Sequence, residues 1–319
     1  MTTYSVTAPA LPEHDRSNPV EGAIINGLVR TWPRRATVKK KEPELDDLFD
    51  PAKADFPEEM IPFHDHECFL GLNGTQQDRL RAWAWIAYNK NVMDIEQFVV
   101  NPGFGLLSRD ELDVGFGDKH KVAALQAMVD EEYHTLMHLN ASALTRRRRG
   151  WQLPDNLLPR SLTVREHDSS IAAASSRREA ALVRVAFTTA AETSISGYLA
   201  LMTDSEAVQS VNRSTVALHR RDELSHSSVA GELVRAVYDT LNHADRRVLI
   251  TTLGRGIEAF AGNDFTTWRA ILDAEEIPGA SRIMADVEAA AASRVVQDCS
   301  AIRALCRDLG IEDEVGVEW

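Results

Sequence analysis

Four long stretches of the chain place apolar residues three and four apart, the period of helices that each bury one face. The first, from about Gln76 to Val100, sets Trp85, Tyr88, Val92, Glu96 and Val99 on one side and should end before Asn101-Pro-Gly. The second, from about Lys119 to Arg146, aligns Ala124, Ala127, Met128, Glu131, His134 and His138. The third, from about Ser170 to Leu201, aligns Val185, Thr188, Glu192, Ser196 and Leu199. The fourth, from about Glu206 to Leu241, aligns Val208, Asn212, Thr215, His219, Glu223, His226, Ala230 and Leu233. Each stripe carries carboxylates or imidazoles inside an apolar seam, where a charge without a partner is costly.

Around these the pattern is weaker. Residues 1 to about 20 have nothing periodic to bury and read as a mobile tail, and residues 21–319 read as one domain. Residues 22–30 predict a short helix stopped near Pro33, and Pro51, Pro57 and Pro62 keep the next stretch irregular, draped over the bundle. Loops are expected from Pro102 to Asp118 and around Pro154 and Pro159. Beyond Asn242 the spacing predicts three helices, Asp245 to Phe260, Phe265 to Glu275 and Ser281 to Leu309, the last with Cys299 and Cys306 on one face. No strand stands out. The basic-then-acidic run Lys39 to Asp47 and the arginines Arg146 to Arg149 read as solvated surface.

The polar residues inside the seams form a pattern of their own. Asp130-Glu-Glu-Tyr-His134 and Asp222-Glu-Leu-Ser-His226 share an Asp-Glu-x-x-His core, which puts Glu131 with His134, and Glu223 with His226, one turn apart. Glu96 precedes Glu131 by 35 positions and Glu192 precedes Glu223 by 31, enough for one helix to end and return. One Glu on each of two helices and Glu-x-x-His on each of the other two is the arrangement that holds a di-iron or di-manganese centre. Two divalent ions would balance the four carboxylates, with the imidazoles bound neutral. His219, one turn before Glu223, adds a third imidazole; alone it would read as core, but beside Glu223 and His226 it reads as a ligand. His138, one turn past His134, reads as a hydrogen-bonding partner rather than a ligand. The expected fold is therefore all-α, a ferritin-like four-helix bundle over about 75–241 extended by further N- and C-terminal helices.

Composition narrows the class. A chain of 319 residues that is 44% hydrophobic can bury a substantial core, and a net charge of −13 argues against nucleic acid or an anionic membrane as its main partner. Cys68, Cys299 and Cys306 have no metal or redox spacing and read as reduced thiols of a cytoplasmic protein. Neither a signal-peptide core nor an apolar run of the ~18 residues that would span a membrane is present in the sequence.

The chain resembles the p-aminobenzoate N-oxygenase family of di-iron enzymes. The likeness is carried by Leu28-Val-Arg-Thr-Trp-Pro-Arg-Arg35, Ile61-Pro-Phe63, Asp130 to His138, Ala191-Glu-Thr193 and Glu258-Ala-Phe-Ala261, and covers nearly the whole chain. It implies two iron ions, dioxygen as co-substrate, an external electron donor, and oxidation of an aryl amine to hydroxylamine, nitroso or nitro products in antibiotic pathways. It would make Glu131 and Glu223 bridges, with Glu96 and His134 on one iron and Glu192, His219 and His226 on the other. Tyr88, Val92, Ile95, Ser196, Tyr198, Leu199 and Phe260 match or neighbour the family's pocket positions. Where the family places arginines at the carboxylate end of the pocket, this chain has Asn91 and Gln297.

The resulting expectation is a di-iron amine N-oxygenase acting on a small amine, free or carrier-tethered, with a homodimer allowed and the electron donor unnamed. The competing readings are a di-iron C–H hydroxylase or desaturase and an iron-storage protein. About 150 residues beyond the bundle speak against storage.

Overall fold

The computed structural model describes residues 10–13, 22–41, 45–203, 206–290, 296 and 298–319, and among these the fold is all-α. Its helices are α1 (Ala23–Arg35), α2 (Glu67–Leu70), α3 (Gly74–Ile95), α4 (Asn101–Ser108), α5 (Asp118–Arg149), α6 (Leu162–Ala173), α7 (Arg177–Thr203), α8 (Ser210–Thr240), α9 (His243–Ala261), α10 (Phe265–Ala274), α11 (Ala280–Ala290) and α12 (Ser300–Asp308). An isolated bridge between Ala54 and Val208 is the β pairing found among the described residues. Of the expected tail, only residues 10–13 are described, and they are irregular.

The four long periodic stretches became α3, α5, α7 and α8. Helix α7 lies at the centre, packed on α8 and α9, and between Ala181 and Ile195 nearly every side chain is buried, as a helix surrounded by others requires. Asn73 starts α3 with a reciprocal capping box with Gln76, which satisfies two otherwise orphaned backbone N–H groups. Gly150 ends α5 in the left-handed region at φ 66°, a conformation that costs glycine nothing. One connected apolar core runs from Ile25 on α1 to Val317 near the C-terminus.

Several expectations need correction. The first bundle helix does not stop before Asn101-Pro-Gly. It passes through a π turn, Glu96–Val100, in which the Asn101 N–H bonds to the Glu96 carbonyl, and continues as α4. The wider turn accommodates Pro102, and Gly103 allows close approach to α7: a Cβ there would lie 1.9 Å from Thr188 Oγ1. Thr188 in turn donates to the Val99 carbonyl at 3.1 Å. Helix α1 likewise runs through Pro33 to Arg35. The stretch around 154–173 contains a separate helix, α6, so the third bundle helix starts at Arg177, not near Ser170. The final helix is replaced by α11 and α12, with Cys299 as the N-cap of α12 and Cys306 inside it, both buried.

The arginine run is also less solvated than expected. Arg146 donates to the Leu153 carbonyl at 2.8 Å, while Arg149 pairs with buried Asp55 at 2.9 Å and donates to the carbonyls of Pro51 and Lys53. Arg149 thus pins the proline-rich drape to the end of α5. No helix among the described residues is long and apolar enough to cross a membrane.

Candidate metal centre and substrate cavity

Glu96 closes α3, Glu131 and His134 project from α5, Glu192 from α7, and His219, Glu223 and His226 from α8; all seven side chains are buried. His134 Nδ1 lies 2.8 Å from Glu131 Oε2 and 3.3 Å from Glu223 Oε1. His226 Nδ1 lies 2.5 Å from Glu131 Oε1 and 3.1 Å from Glu223 Oε1. His219 Nε2 lies 3.1 Å from Glu223 Oε1 and 3.6 Å from Glu96 Oε1. The donors form two overlapping groups that could each hold a metal ion: Glu96, Glu131, His134 and His219, and Glu131, His134, Glu223 and His226. Glu131 and His134 lie in both groups, and Glu223, expected as the second bridge, lies in one. Glu192 stands just outside, 3.8 Å from His226 Nδ1, and His219 falls beside Glu96 rather than beside Glu192.

The imidazoles are oriented from outside by residues that the seam pattern did not single out. His134 Nε2 donates to Asp222 Oδ2 at 3.3 Å, and His226 Nε2 donates to Asp130 Oδ2 at 3.0 Å. The two Asp-Glu-x-x-His copies therefore cross: the Asp of each orients the His of the other. Their signal was the shared Asp preceding each Glu. Asp222 also accepts from the Thr37 backbone N–H, and Asp130 from Trp32 Nε1 at 2.8 Å. Arg35 lies close enough to feel the charges of Asp130, Asp222 and Glu223, although burial depresses its basicity.

His219 is set by a different chain. Asn89 donates through Nδ2 to the Trp85 carbonyl at 2.7 Å, so its oxygen faces His138 Nδ1 at 2.6 Å and accepts that proton. Burial and the neighbouring His219 keep His138 well below the usual imidazole range, hence neutral, and its Nε2 accepts from His219 Nδ1 at 2.9 Å. His219, itself held low by burial and His134, then presents its Nε2 to Glu223 and Glu96. His138 therefore acts as the orienting partner read from the sequence.

Electrostatics describe a core that lacks cations. Burial, then the charges of Glu131, Glu223 and Glu192, push Glu96 well above the carboxylate range, and burial with Glu223 and Glu131 does the same to Glu192. Burial would raise Glu223 too, but His226 and His219 hold it far below. Burial and Glu223 oppose ionisation of Glu131, yet His226 and His134 keep it low. Against burial, Glu131 and Asp222 hold His134 at about 9, and Glu131 and Glu223 hold His226 well above its ordinary value. Glu96 Oε2, Glu192 Oε2 and Glu223 Oε2 are buried without a hydrogen-bond partner, a cost that bound cations would remove. The donor set fits two divalent metal ions.

A cavity of about 170 Å³ is lined among others by Tyr88, Asn91, Thr163, Tyr198, Phe260 and Trp268, and by none of the seven donors. Its size compares with the ~150 Å³ that holds a benzene ring. Tyr88 stacks on Tyr198 with centroids 4.8 Å apart and lies 6.3 Å from His138, linking the cavity to the imidazole chain. Asn91 Nδ2 donates to Tyr198 Oη at 3.4 Å, and burial holds both phenols above the usual tyrosine range, Tyr198 at about 12. Of the expected pocket residues, Tyr88, Asn91, Tyr198 and Phe260 line this cavity. Val92, Ile95 and Leu199 are buried in the core and Ser196 is half-buried, none of them in the lining. Gln297 lies outside the described residues. The drape supplies Phe56, Met60 and Pro62, which the sequence pattern had left without a role.

The fold and its buried carboxylate and imidazole cluster define a ferritin-like, metal-binding class of protein. Residues 18–310 match the family model P-aminobenzoate N-oxygenase AurF, and the chain belongs to that family. It is 33% identical over 304 residues to the 4-aminobenzoate N-oxygenase of Streptomyces thioluteus, covering 94% of this chain and 90% of that protein. The chain is thus an N-oxygenase.

Proposed function

We propose that the protein is a di-iron, dioxygen-dependent monooxygenase that oxidises a primary aryl amine to a hydroxylamine, nitroso or nitro product. One observation carries this reading: three buried imidazoles each turn one ring nitrogen to an outer partner, Asp222, Asp130 or His138, and the other toward carboxylates with unpartnered oxygens. Glu96, Glu131, His134, Glu192, His219, Glu223 and His226 would hold the irons, and bound iron would supply the activation of dioxygen. The protein's part is to place the amine, exclude water and fix the imidazole tautomers. The aromatic cavity suits a single ring, its described lining holds no Lys, Arg or His, and its one carboxylate, Asp264, is already paired with Arg165 at 3.0 Å. That favours an amine whose far end is neutral, polar or carrier-tethered over a free aminobenzoate. A homodimer is supported by Leu125, Val129, Leu136 and Leu139, exposed at heptad-like spacing along α5.

The test is to load the protein with iron, reduce it, and admit oxygen with a panel of aryl amines, following oxygen-atom gain by mass spectrometry. Oxygen added at nitrogen supports the reading. Addition only at carbon returns it to a hydroxylase, and iron uptake far above two per chain returns it to storage.

A further inference from the structure

We propose that Trp32, Asp130 and His226 are the route by which electrons enter the metal centre, delivered by an acidic one-electron carrier protein that docks on the basic arm around α1. This rests on the reading above that His226 holds one of the irons.

The path is short and continuous. The Trp32 indole N–H donates to Asp130 Oδ2 at 2.8 Å, and the His226 Nε2–H donates to the same oxygen at 3.0 Å, so one carboxylate oxygen joins the indole to the imidazole. Trp32 is 9% exposed, whereas Asp130 and His226 are fully enclosed. The related branch behaves differently. Asp222, which orients His134, ends on the backbone N–H of Thr37, and among the described residues its hydrogen bonds reach no aromatic side chain beyond that imidazole. The two crossing motifs are therefore alike up to their carboxylates, and only one continues to an aromatic ring.

The segment that carries that ring has the opposite charge to the molecule. In a chain of net charge −13, residues 22–41 hold six cations, Arg30, Arg34, Arg35, Lys39, Lys40 and Lys41, and no Asp or Glu, before the sequence turns acidic at Glu42, Glu44, Asp46 and Asp47. Five of these are exposed and Arg35 is half-buried. Lys39 Nζ stands 4.8 Å from the centre of the Trp32 ring. Such a segment steers an acidic partner to the helix that carries the indole. Helix α1 packs on α5 and α8, whereas the cavity is built from α3, α6, α7, α9, α10 and the segment from Phe56 to Pro62. Carrier and amine would then approach by separate elements.

The balance is simple. Each reduced carrier, an iron–sulfur protein of the ferredoxin class, loses one electron and one ferric ion becomes ferrous, so two carriers complete a two-electron reduction. No bond forms or breaks along the route, and the Trp32 and His226 protons stay on their nitrogens.

The experiment mixes oxidised, iron-loaded protein anaerobically with reduced two-iron ferredoxin and follows the bleaching of the iron charge-transfer absorption by stopped flow. Trp32→Phe keeps a ring in place but removes the N–H. It should hold the same iron with the same resting spectrum, yet be reduced on the order of tenfold more slowly, equivalent to about 1.4 kcal/mol on the barrier. The surface variant Arg34→Glu with Lys39→Glu should lose most of the second-order rate with ferredoxin and its fall with rising salt, while reduction by dithionite in high salt stays at the wild-type rate. Wild-type reduction rates in Trp32→Phe overturn the relay, and an unchanged rate in the charge-reversed protein overturns the docking surface. If ferredoxin does not reduce the wild type, the carrier assignment fails. Wild-type protein that binds no iron overturns the metal reading itself, and the relay with it.

Discussion

Replacing Asp222 by Asn should weaken metal binding in a way that depends on pH. Asp222 is 1% exposed, and its carboxylate takes the His134 Nε2 proton at 3.3 Å and the Thr37 N–H at 3.1 and 3.2 Å. Asn keeps the shape and an acceptor for Thr37 but turns a charge-assisted bond to His134 into a neutral one, roughly half as strong. Loss of such an outer partner typically lowers metal affinity by about 10- to 100-fold, or about 1.4 to 2.7 kcal/mol. A second effect opposes this near neutrality. Metal must displace the His134 proton, and with that group at about 9, competition at pH 7 weakens binding by roughly a hundredfold. Part of that high value comes from Asp222, so the variant competes with protons less. Chelator-competition titrations with ferrous or cobaltous ion should therefore show the full deficit above pH 9 and a smaller one at pH 7. Equal affinities at high pH, or a deficit that widens toward neutrality, would refute the reasoning.

Other outcomes follow from the same geometry. Metal loading at pH 7 should release two to four protons per chain, because His134 and His226 are raised and Glu96 and Glu192 lie above the carboxylate range. Affinity should accordingly fall as pH falls; an indicator-dye titration that records no protons would contradict this. Gly103→Ala forces a Cβ to 1.9 Å from Thr188 Oγ1 and should cost about 1–3 kcal/mol, seen as a melting temperature lower by several degrees. Unchanged melting would mean that α4 and α7 are not packed that closely. Wild-type turnover efficiency should be higher for the neutral amide or ester of 4-aminobenzoate than for the free acid, and Asn91→Arg should narrow the gap. A strong preference of the wild type for the free acid would show that some other cation serves the carboxylate.

Much of this architecture is written in local periodicity. The stripes carrying Glu96, Glu131, Glu192 and Glu223 became the buried faces of four helices because a carboxylate in an apolar seam has few places to go except toward other such groups. What escaped the pattern is non-local. Asp130 and Asp222 look like ordinary neighbours of the ligands until α5 and α8 are packed, when each reaches across to the other helix's imidazole. Trp32 meets Asp130 across 98 positions, a pairing no helical period encodes. The Asn101-Pro-Gly signal was misleading for a physical reason: proline ends an α-helix, but a π turn immediately before it accommodates the ring. The cavity wall from Phe56 to Pro62 was hidden because irregular backbone has no face to read.

The π turn at Glu96–Val100 also fixes a rotational phase. An α-helix advances about 100° per residue, so one extra residue in a single turn rotates everything beyond it by about that angle relative to an uninterrupted helix. Glu96 faces the metal donors on one side of this step, and Gly103 meets Thr188 on the other. Removing one residue from 97–100 would restore regular α geometry but break that alignment, turning either the carboxylate from the cluster or the glycine from α7. Insertions and deletions within these five residues are therefore not interchangeable with those in a surface loop, and any transfer of residue roles between chains of this kind has to keep the turn's length.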